Sequence, residues 1–254
     1  MLDVAVDAAK AGGDLAYRYF KTHPKVTYKP DNSPVTKADI EVEKLIRKII
    51  TKNFPDHDIH GEELPDKTVK SKYQWIIDPI DGTRYYSSGL DYWSTLLAVL
   101  ENGKPIIGIS YYPATKEFFV AEKDKGTFLN DKRMHVSKIK SLEQAFFAHG
   151  SIQRLSKMGK LPGLISLYDK TLGHSGFGWS LSLNLLFKGK VETALETGNI
   201  HDFAAPALLA QEAGGKFSDL SGKPSLTSGV LLVSNGLLHN QVLKILNGLS
   251  PTRL

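Results

Sequence analysis

The spacing of apolar and polar residues changes period along the chain, and each change predicts an element. Over Leu2–Phe20 the apolar positions Val4, Ala8, Ala11, Leu15 and Tyr19 recur near helical spacing, which predicts a helix weakened by Gly12-Gly13. The segment KPDNSPVTKAD carries Pro and Asn and reads as a loop. Thr36 or Asp39 then caps a second helix, whose apolar face is Ile40, Leu45, Ile46, Ile49 and Ile50 and which ends at residues 53–55.

After Gly61 the pattern becomes strand-like. YQWIID reads as a buried strand, which Pro79 should end because proline has no place in a central strand. STLLAVL, KPIIGISYY and EFFVAE follow as strands, with Asn102-Gly103 and PATKE as turns, and GTFLND reads as a further strand and turn. WSLSLNLLFKGK has helical spacing and VETALE is strand-like. Residues 202–213 read as a helix capped by Asp202, with Pro206 near its first turn and Gly214-Gly215 stopping it. KFSDLSGK is hairpin-like, GVLLVSN a buried strand, and the tail from Leu237 a last helix. Residues 139–170 show no clear period. Two helices before a mostly antiparallel meander make the class α+β or layered α/β, and the chain divides into subdomains 1–140 and 141–254.

Composition removes several classes. The 254 residues are 41% hydrophobic and 23% charged, an ordinary globular balance. There are no cysteines, so disulfides, zinc–thiolate sites and thiol catalysis are out, and any metal must sit on oxygen or imidazole. The formal net charge is +5, but the lysines are scattered, which fits a solvated surface or attraction of small anions better than nucleic acid. No apolar stretch approaches the roughly 20 residues that cross a bilayer, and MLDVAVDAAKAGG lacks the apolar core of a signal peptide. The expected location is the cytoplasm, with no membrane or nucleic-acid partner.

Carboxylates stand out in three places. Glu62-Glu63 follows Gly61; alone it reads as a solvated loop. In DPIDGT an apolar strand delivers Asp78, and Asp81-Gly82 turns the chain, so two acids meet at a rigid turn. Asp202 reads alone as a helix cap. Together they suggest a hard-cation site, since Mg²⁺ prefers oxygen ligands and close carboxylates repel one another without a cation. Gly82-Thr83 offers amides and a hydroxyl where a helix N-terminus would seat phosphate.

GEE, WIIDPIDGT and HDFAAPALLAQEAGG resemble, in order, the three signature segments of the inositol monophosphatase superfamily of Mg²⁺-dependent, lithium-sensitive phosphatases. SPVTKADIEVEKLI and KGTFLND followed by HVS are also similar. The resemblance implies a layered αβαβα sandwich, often dimeric, in which the second subdomain completes the site. It implies two or three Mg²⁺ ions, with Glu62, Asp78 and the Ile80 carbonyl holding the first and Asp78, Asp81 and Asp202 the second. Glu62 and Thr83 would activate the attacking water, with Asp39 hydrogen-bonded to Thr83. Gly82 and Thr83 would bind phosphate, and the substrate would be the phosphate monoester of a small polar alcohol.

This chain departs from the usual pattern at several points. His201 precedes Asp202 where tryptophan is usual. Arg84 after DGT, then GLDYWSTLLAVLENG, looks more like the histidinol-phosphate phosphatase branch; Arg84 is either a substrate-anion contact or a surface cation beside the phosphate. Glu196 resembles an acid that contacts substrate hydroxyls, or is an ordinary strand-end acid. Lys29, Thr36 and Lys37 lie in a loop similar to the family's lid. Trp75 and Trp93 read as core. Inositol monophosphate and histidinol phosphate lead the substrates. Fructose bisphosphate, adenosine 3′,5′-bisphosphate and a non-catalytic binding relative are the alternatives.

Overall fold

Two sheets alternate with three layers of helix. The computed structural model describes residues 1–22, 26–28 and 34–248, the side chains of residues 179 and 180 excepted. The elements in chain order are α1 (Leu2–Phe20), β1 (Val26–Tyr28), β2 (Pro34–Thr36), α2 (Lys37–Asn53), β3 (Asp58–Gly61), β4 (Tyr73–Asp81), α3 (Thr83–Ser87), β5 (Ser94–Glu101), β6 (Lys104–Tyr112), β7 (Glu117–Glu122), β8 (Gly126–Leu129) and β9 (Lys132–Met134). A 3₁₀ turn at Leu142–Gln144 precedes β10 (Phe146–His149), α4 (Ile152–Lys157), α5 (Leu161–Tyr168), β11 (Gly173–Ser175), α6 (Trp179–Phe187), β12 (Thr193–Thr197), α7 (Ile200–Glu212), β13 (Lys216–Ser218), β14 (Val230–Ser234) and α8 (His239–Leu246).

β3 to β9 form a seven-stranded sheet in sequence order, antiparallel except for the parallel pair β3–β4. The Asn102-Gly103 hairpin forms as expected, with φ of 49° and 76°. A second sheet runs β11-β10-β12-β14-β13, with β11, β10 and β12 parallel. α1 and α2 cover one face of the first sheet, α6 and α7 lie between the sheets, and α5 and α8 pack on the far face of the second. This is the expected αβαβα sandwich. Along β12 the alternation is direct: Ala194 joins the core against α6 and α7, and Leu195 the core against α5 and α8.

Gly12-Gly13 strengthens the packing of α1 rather than weakening it. A Cβ on Gly12 would lie 2.6 Å from Ile46 Cδ1 of α2, and one on Gly13 would overlap the Tyr111 ring of β6. Their absence lets the helix sit close to both, which offsets the roughly 1 kcal/mol that glycine costs in a helix.

Three local expectations are corrected. Pro79 does not end its strand: β4 continues to Asp81, and one extra residue enters between the pairs Asp78↔Leu96 and Asp81↔Ser94. The missing N–H falls in that bulge, where no ladder bond is lost. Asp202 is not the cap of α7. Asn199 is, and the Asp202 carboxylate accepts from the Asn199 N–H at 2.6 Å as the third residue of a capping box. Because α7 starts at Ile200, Pro206 lies a turn deeper than expected, inside the helix. Trp75 and Trp93 are fully buried, as expected.

Candidate metal and phosphate site

β3 and β4 are parallel, with Gly61 opposite Ile77, so their C-terminal ends lie side by side. That register carries Glu62 to Asp78, and the Glu62 N–H donates to the Ile77 carbonyl at 3.2 Å. The β4 bulge then brings Asp81 back to the same place. Its turn is pinned: the Ile80 N–H donates to Asp78 Oδ1 at 3.1 Å, and Thr95 Oγ1 donates to the Pro79 carbonyl at 2.9 Å. α7 crosses the sheet from the other side and presents Asp202 in its first turn. Carboxylate oxygens of Asp78, Asp81 and Asp202 all lie within 4.8 Å of one another.

The electrostatics of this cluster are unfavourable in isolation. Burial lifts Asp78 well above the usual carboxylate range, and the charges that push it further are all acids: Glu62, Asp81, Asp202 and Asp39. Burial also raises Asp202, with Glu62 adding to the effect and His201, the Asn199 N–H and Arg154 opposing it. Asp39 is pushed up to about 6, by burial first, with Thr36 opposing and Glu62 adding. Five acids from α2, β4, α7 and the segment after β3 therefore share one low-dielectric region. Their donors are oxygens, and among the described residues Asp39 Oδ1 is buried with no hydrogen-bond partner. Such a set fits hard divalent cations, and the Asp78, Asp81 and Asp202 oxygens lie close enough together to hold one.

Beyond Asp81 the chain turns into a short helix. Gly82 takes φ 88°, open to glycine at little cost, and is the N-cap of the short helix α3, where Thr83 begins the helical turn. Thr83 Oγ1 donates back to the Ile80 carbonyl at 3.1 Å. The hydrogen bond expected between Asp39 and Thr83 is replaced. Asp39 Oδ2 instead accepts from the Thr36 N–H at 2.8 Å and from the Thr36 hydroxyl at 2.6 Å, closing the cap of α2.

The substrate-side residues divide. Arg84 is exposed on the first turn of α3, and Lys37 is exposed at the start of α2. Lys29 lies outside the described residues. Glu196 stands apart from the acid cluster: it is 1% exposed on β12, accepts from Ser182 and packs against Gly150. Tyr85, which the sequence does not single out, links the two. Its hydroxyl donates to the Phe177 carbonyl at 2.6 Å, and its acidity is lowered by burial and then by Glu196 and Asp81. His201 Nε2 lies 3.5 Å from Asp202 Oδ2 and its ring lies near that of His60, with centroids 6.1 Å apart, so the histidine in place of tryptophan faces the cluster rather than solvent. Glu43 and Arg47 of α2, also unmarked by the sequence beyond an i,i+4 acid–base spacing, hold the segment that carries Glu62.

Known proteins match this arrangement along the whole chain. The inositol monophosphatase family profile matches residues 1–250. A histidinol-phosphatase of Streptomyces coelicolor is 34% identical over 254 residues, covering 96% of this chain and 94% of that one. A fructose-1,6-bisphosphatase/inositol-1-monophosphatase of Thermotoga maritima is 36% identical over 217 residues, covering 84% and 82%. The crystal structure of the extragenic suppressor protein suhB from Bartonella henselae superposes with a TM-score of 0.90 at 28% identity, over 96% and 97% of the two chains. With Asp78, Asp81 and Asp202 folded into one cluster and the family profile spanning residues 1–250, the chain belongs to the inositol monophosphatase family and is a phosphatase.

Proposed function

We propose that the protein is a Mg²⁺-dependent phosphomonoesterase acting on a small polar alcohol phosphate. The observation that carries the reading is the convergence of Asp78, Asp81 and Asp202, with Glu62 and Asp39 beside them, in a region where burial and the neighbouring acids raise the proton affinity of Asp78 and Asp39. Glu62, Asp78, Asp81, Asp202 and the Ile80 carbonyl would hold two or three ions. When bound, divalent cations neutralise the acids and the phosphate oxygens and make water a better nucleophile at neutral pH.

The chain's own residues supply the rest. The Gly82 and Thr83 amides orient the phosphate at the start of α3. Glu62 and the Thr83 hydroxyl hold the attacking water in line with the leaving oxygen. Thr83 Oγ1 already points its proton at the Ile80 carbonyl, so its lone pairs are left to accept from water. The bulged turn at Asp78–Asp81 fixes these groups before substrate arrives, which is where most of the barrier reduction lies. Arg84 would contact the anionic end of the substrate, and Glu196 would accept from a substrate hydroxyl or ammonium.

Histidinol phosphate and inositol monophosphate are the leading substrates. The identity to histidinol-phosphatases and the basic Arg84 favour the first. The same reading includes inhibition by lithium and a homodimeric cytoplasmic enzyme. Its test is a panel of histidinol phosphate, inositol 1-phosphate, fructose 1,6-bisphosphate and adenosine 3′,5′-bisphosphate with Mg²⁺, scored by kcat/KM with and without lithium. Release of phosphate from at least one of them, abolished by chelation, is expected. Absence of release from all of them overturns the reading in favour of a non-catalytic relative.

A further inference from the structure

Glu62 sits on a segment with no regular structure of its own, and its aim must be set from elsewhere. The residues that set it lie on α2. Glu43 is fully buried there, one turn after Asp39 and on the same face of the helix. Its Oε1 accepts from Arg47 Nε at 2.7 Å and from the Leu64 N–H at 3.3 Å, and its Oε2 accepts from the Glu63 N–H at 2.8 Å. Arg47 completes the grip: Nη1 donates to the Pro65 carbonyl and Nη2 to the Leu64 carbonyl, both at 3.0 Å. The Glu62 N–H is held from the other side by the Ile77 carbonyl. Both backbone flanks of Glu62 are thus fixed. Gly61 permits this approach, because a Cβ there would overlap the Glu43 carboxylate.

We propose that the Glu43–Arg47 pair is a positioning device that sets the divalent-cation affinity of the site through Glu62, without itself touching metal or substrate. Both Glu43 oxygens are already engaged, so it is not a ligand. A buried ion pair is a weak source of stability, and an apolar pair of similar size commonly serves as well. What an apolar pair cannot supply is directional bonding to three consecutive residues beside Glu62. Partners one step removed from a metal ligand typically hold 10–100-fold in metal affinity. Because Asp39 belongs to the same helix, α2 ties two of the five acids into one rigid body.

The inference rests on the phosphatase reading for its activity measurements alone. Full-length Glu43→Gln and Arg47→Met are compared with wild type and with Glu41→Gln, which breaks the exposed Glu41–Lys44 pair on the same helix. Mn²⁺ binding is measured by calorimetry, and the Mg²⁺ concentration for half-maximal phosphate release is measured alongside KM for the ester. Both test variants should weaken Mn²⁺ binding and raise the Mg²⁺ requirement by about 10–100-fold. At saturating Mg²⁺, kcat and KM should return to within about twofold of wild type, which a general loss of structure would not allow. Glu41→Gln should change neither quantity. Unchanged Mn²⁺ binding in either folded variant overturns the proposal, as does a fall in kcat that Mg²⁺ does not restore. If Glu43→Gln yields no folded protein, Arg47→Met decides alone. Wild type that binds Mn²⁺ but hydrolyses no ester overturns the phosphatase reading instead, and the binding comparison still decides this one.

Discussion

The molecule buries polar side chains in two places with opposite accounts. Against the second sheet, His239 at the start of α8 is fully buried between two serines, with Nδ1 2.8 Å from Ser234 Oγ and Nε2 2.8 Å from Ser218 Oγ. Ser218 Oγ gives its own proton to the Asp219 carbonyl at 2.7 Å. It therefore accepts from His239 Nε2–H, and Nδ1 accepts from Ser234. Every donor finds an acceptor, the ring is neutral, and burial holds its pKa down to about 4. The acid cluster between the sheets is the reverse. It collects like charges, raises the proton affinities of Asp78, Asp202 and Asp39, and leaves a buried Asp39 oxygen without a partner. A closed hydrogen-bond circuit needs nothing from outside and stabilises the fold. An open one implies a partner from solution, and here the missing charge is positive.

That contrast breaks first at Asp81. Asp81→Asn should lower kcat/KM by about 10³-fold or more, because a site built for charge neutralisation loses a ligand and a charge together. The same substitution should raise the melting temperature of the chelated protein, since it removes one of the charges that repel Asp78. In wild type, Mg²⁺ at a hundred times its Kd should stabilise by about 2.7 kcal/mol; Asp81→Asn should show little of this gain. Calorimetric scans with and without Mg²⁺ measure both effects. A chelated variant less stable than chelated wild type would mean that the acids are compensated internally and that the two regions do not differ in kind.

His239→Leu should do the opposite. It strands the Ser234 donor and takes away the donor to Ser218 Oγ, at a cost of about 1–3 kcal/mol, read from urea unfolding. Its Mg²⁺ requirement and kcat/KM should match wild type. A changed Mg²⁺ requirement would show that this network reaches the site.

The sequence carries much of this, unevenly. The strands of the first sheet alternate or run apolar as burial on one or both faces demands, and turns such as Asn102-Gly103 announce themselves through backbone conformations few residues adopt. Asp78 and Asp81 are legible because an apolar strand delivers them to a turn, whereas Glu62 and Asp202 stand out only beside them, in the ordered segments of the family resemblance. Less legible is whatever depends on tertiary neighbours. α4 and α5 are six and eight residues long, too short for a period to stand out, and β11 is a three-residue edge strand. Pro79 reads as a strand ender until the bulge is known to absorb it. Asp202 reads as a cap because a capping box and a cap place an acid within three residues of each other. Glu43 looks like an ordinary helix-surface acid with an arginine one turn on, and only the return of residues 63–65 over α2 turns it inward. The Asp39–Thr83 bond fails for a local reason: Thr36 is three residues away and takes the carboxylate first.

The finest separation of the two regions is by pH. In chelated protein, Asp39 has a folded pKa of about 6 against 3.8 when free, so the folded state binds more protons between those values and gains stability as pH falls through 6. His239 has a folded pKa of about 4 against 6.5 when free, so the unfolded state binds more protons and the fold loses stability as pH falls from 6.5 towards 4. The wild-type slope between pH 6.5 and 4 is the sum of these opposed contributions and those of the other raised acids. Asp39→Asn removes a gain, so its melting temperature should fall more steeply on acidification than that of wild type. His239→Gln removes a loss, so its melting temperature should fall less steeply. Parallel curves for all three proteins would show that the acid and the histidine bury their protons on equal terms, and the distinction between an open and a closed polar cluster would lose its physical basis.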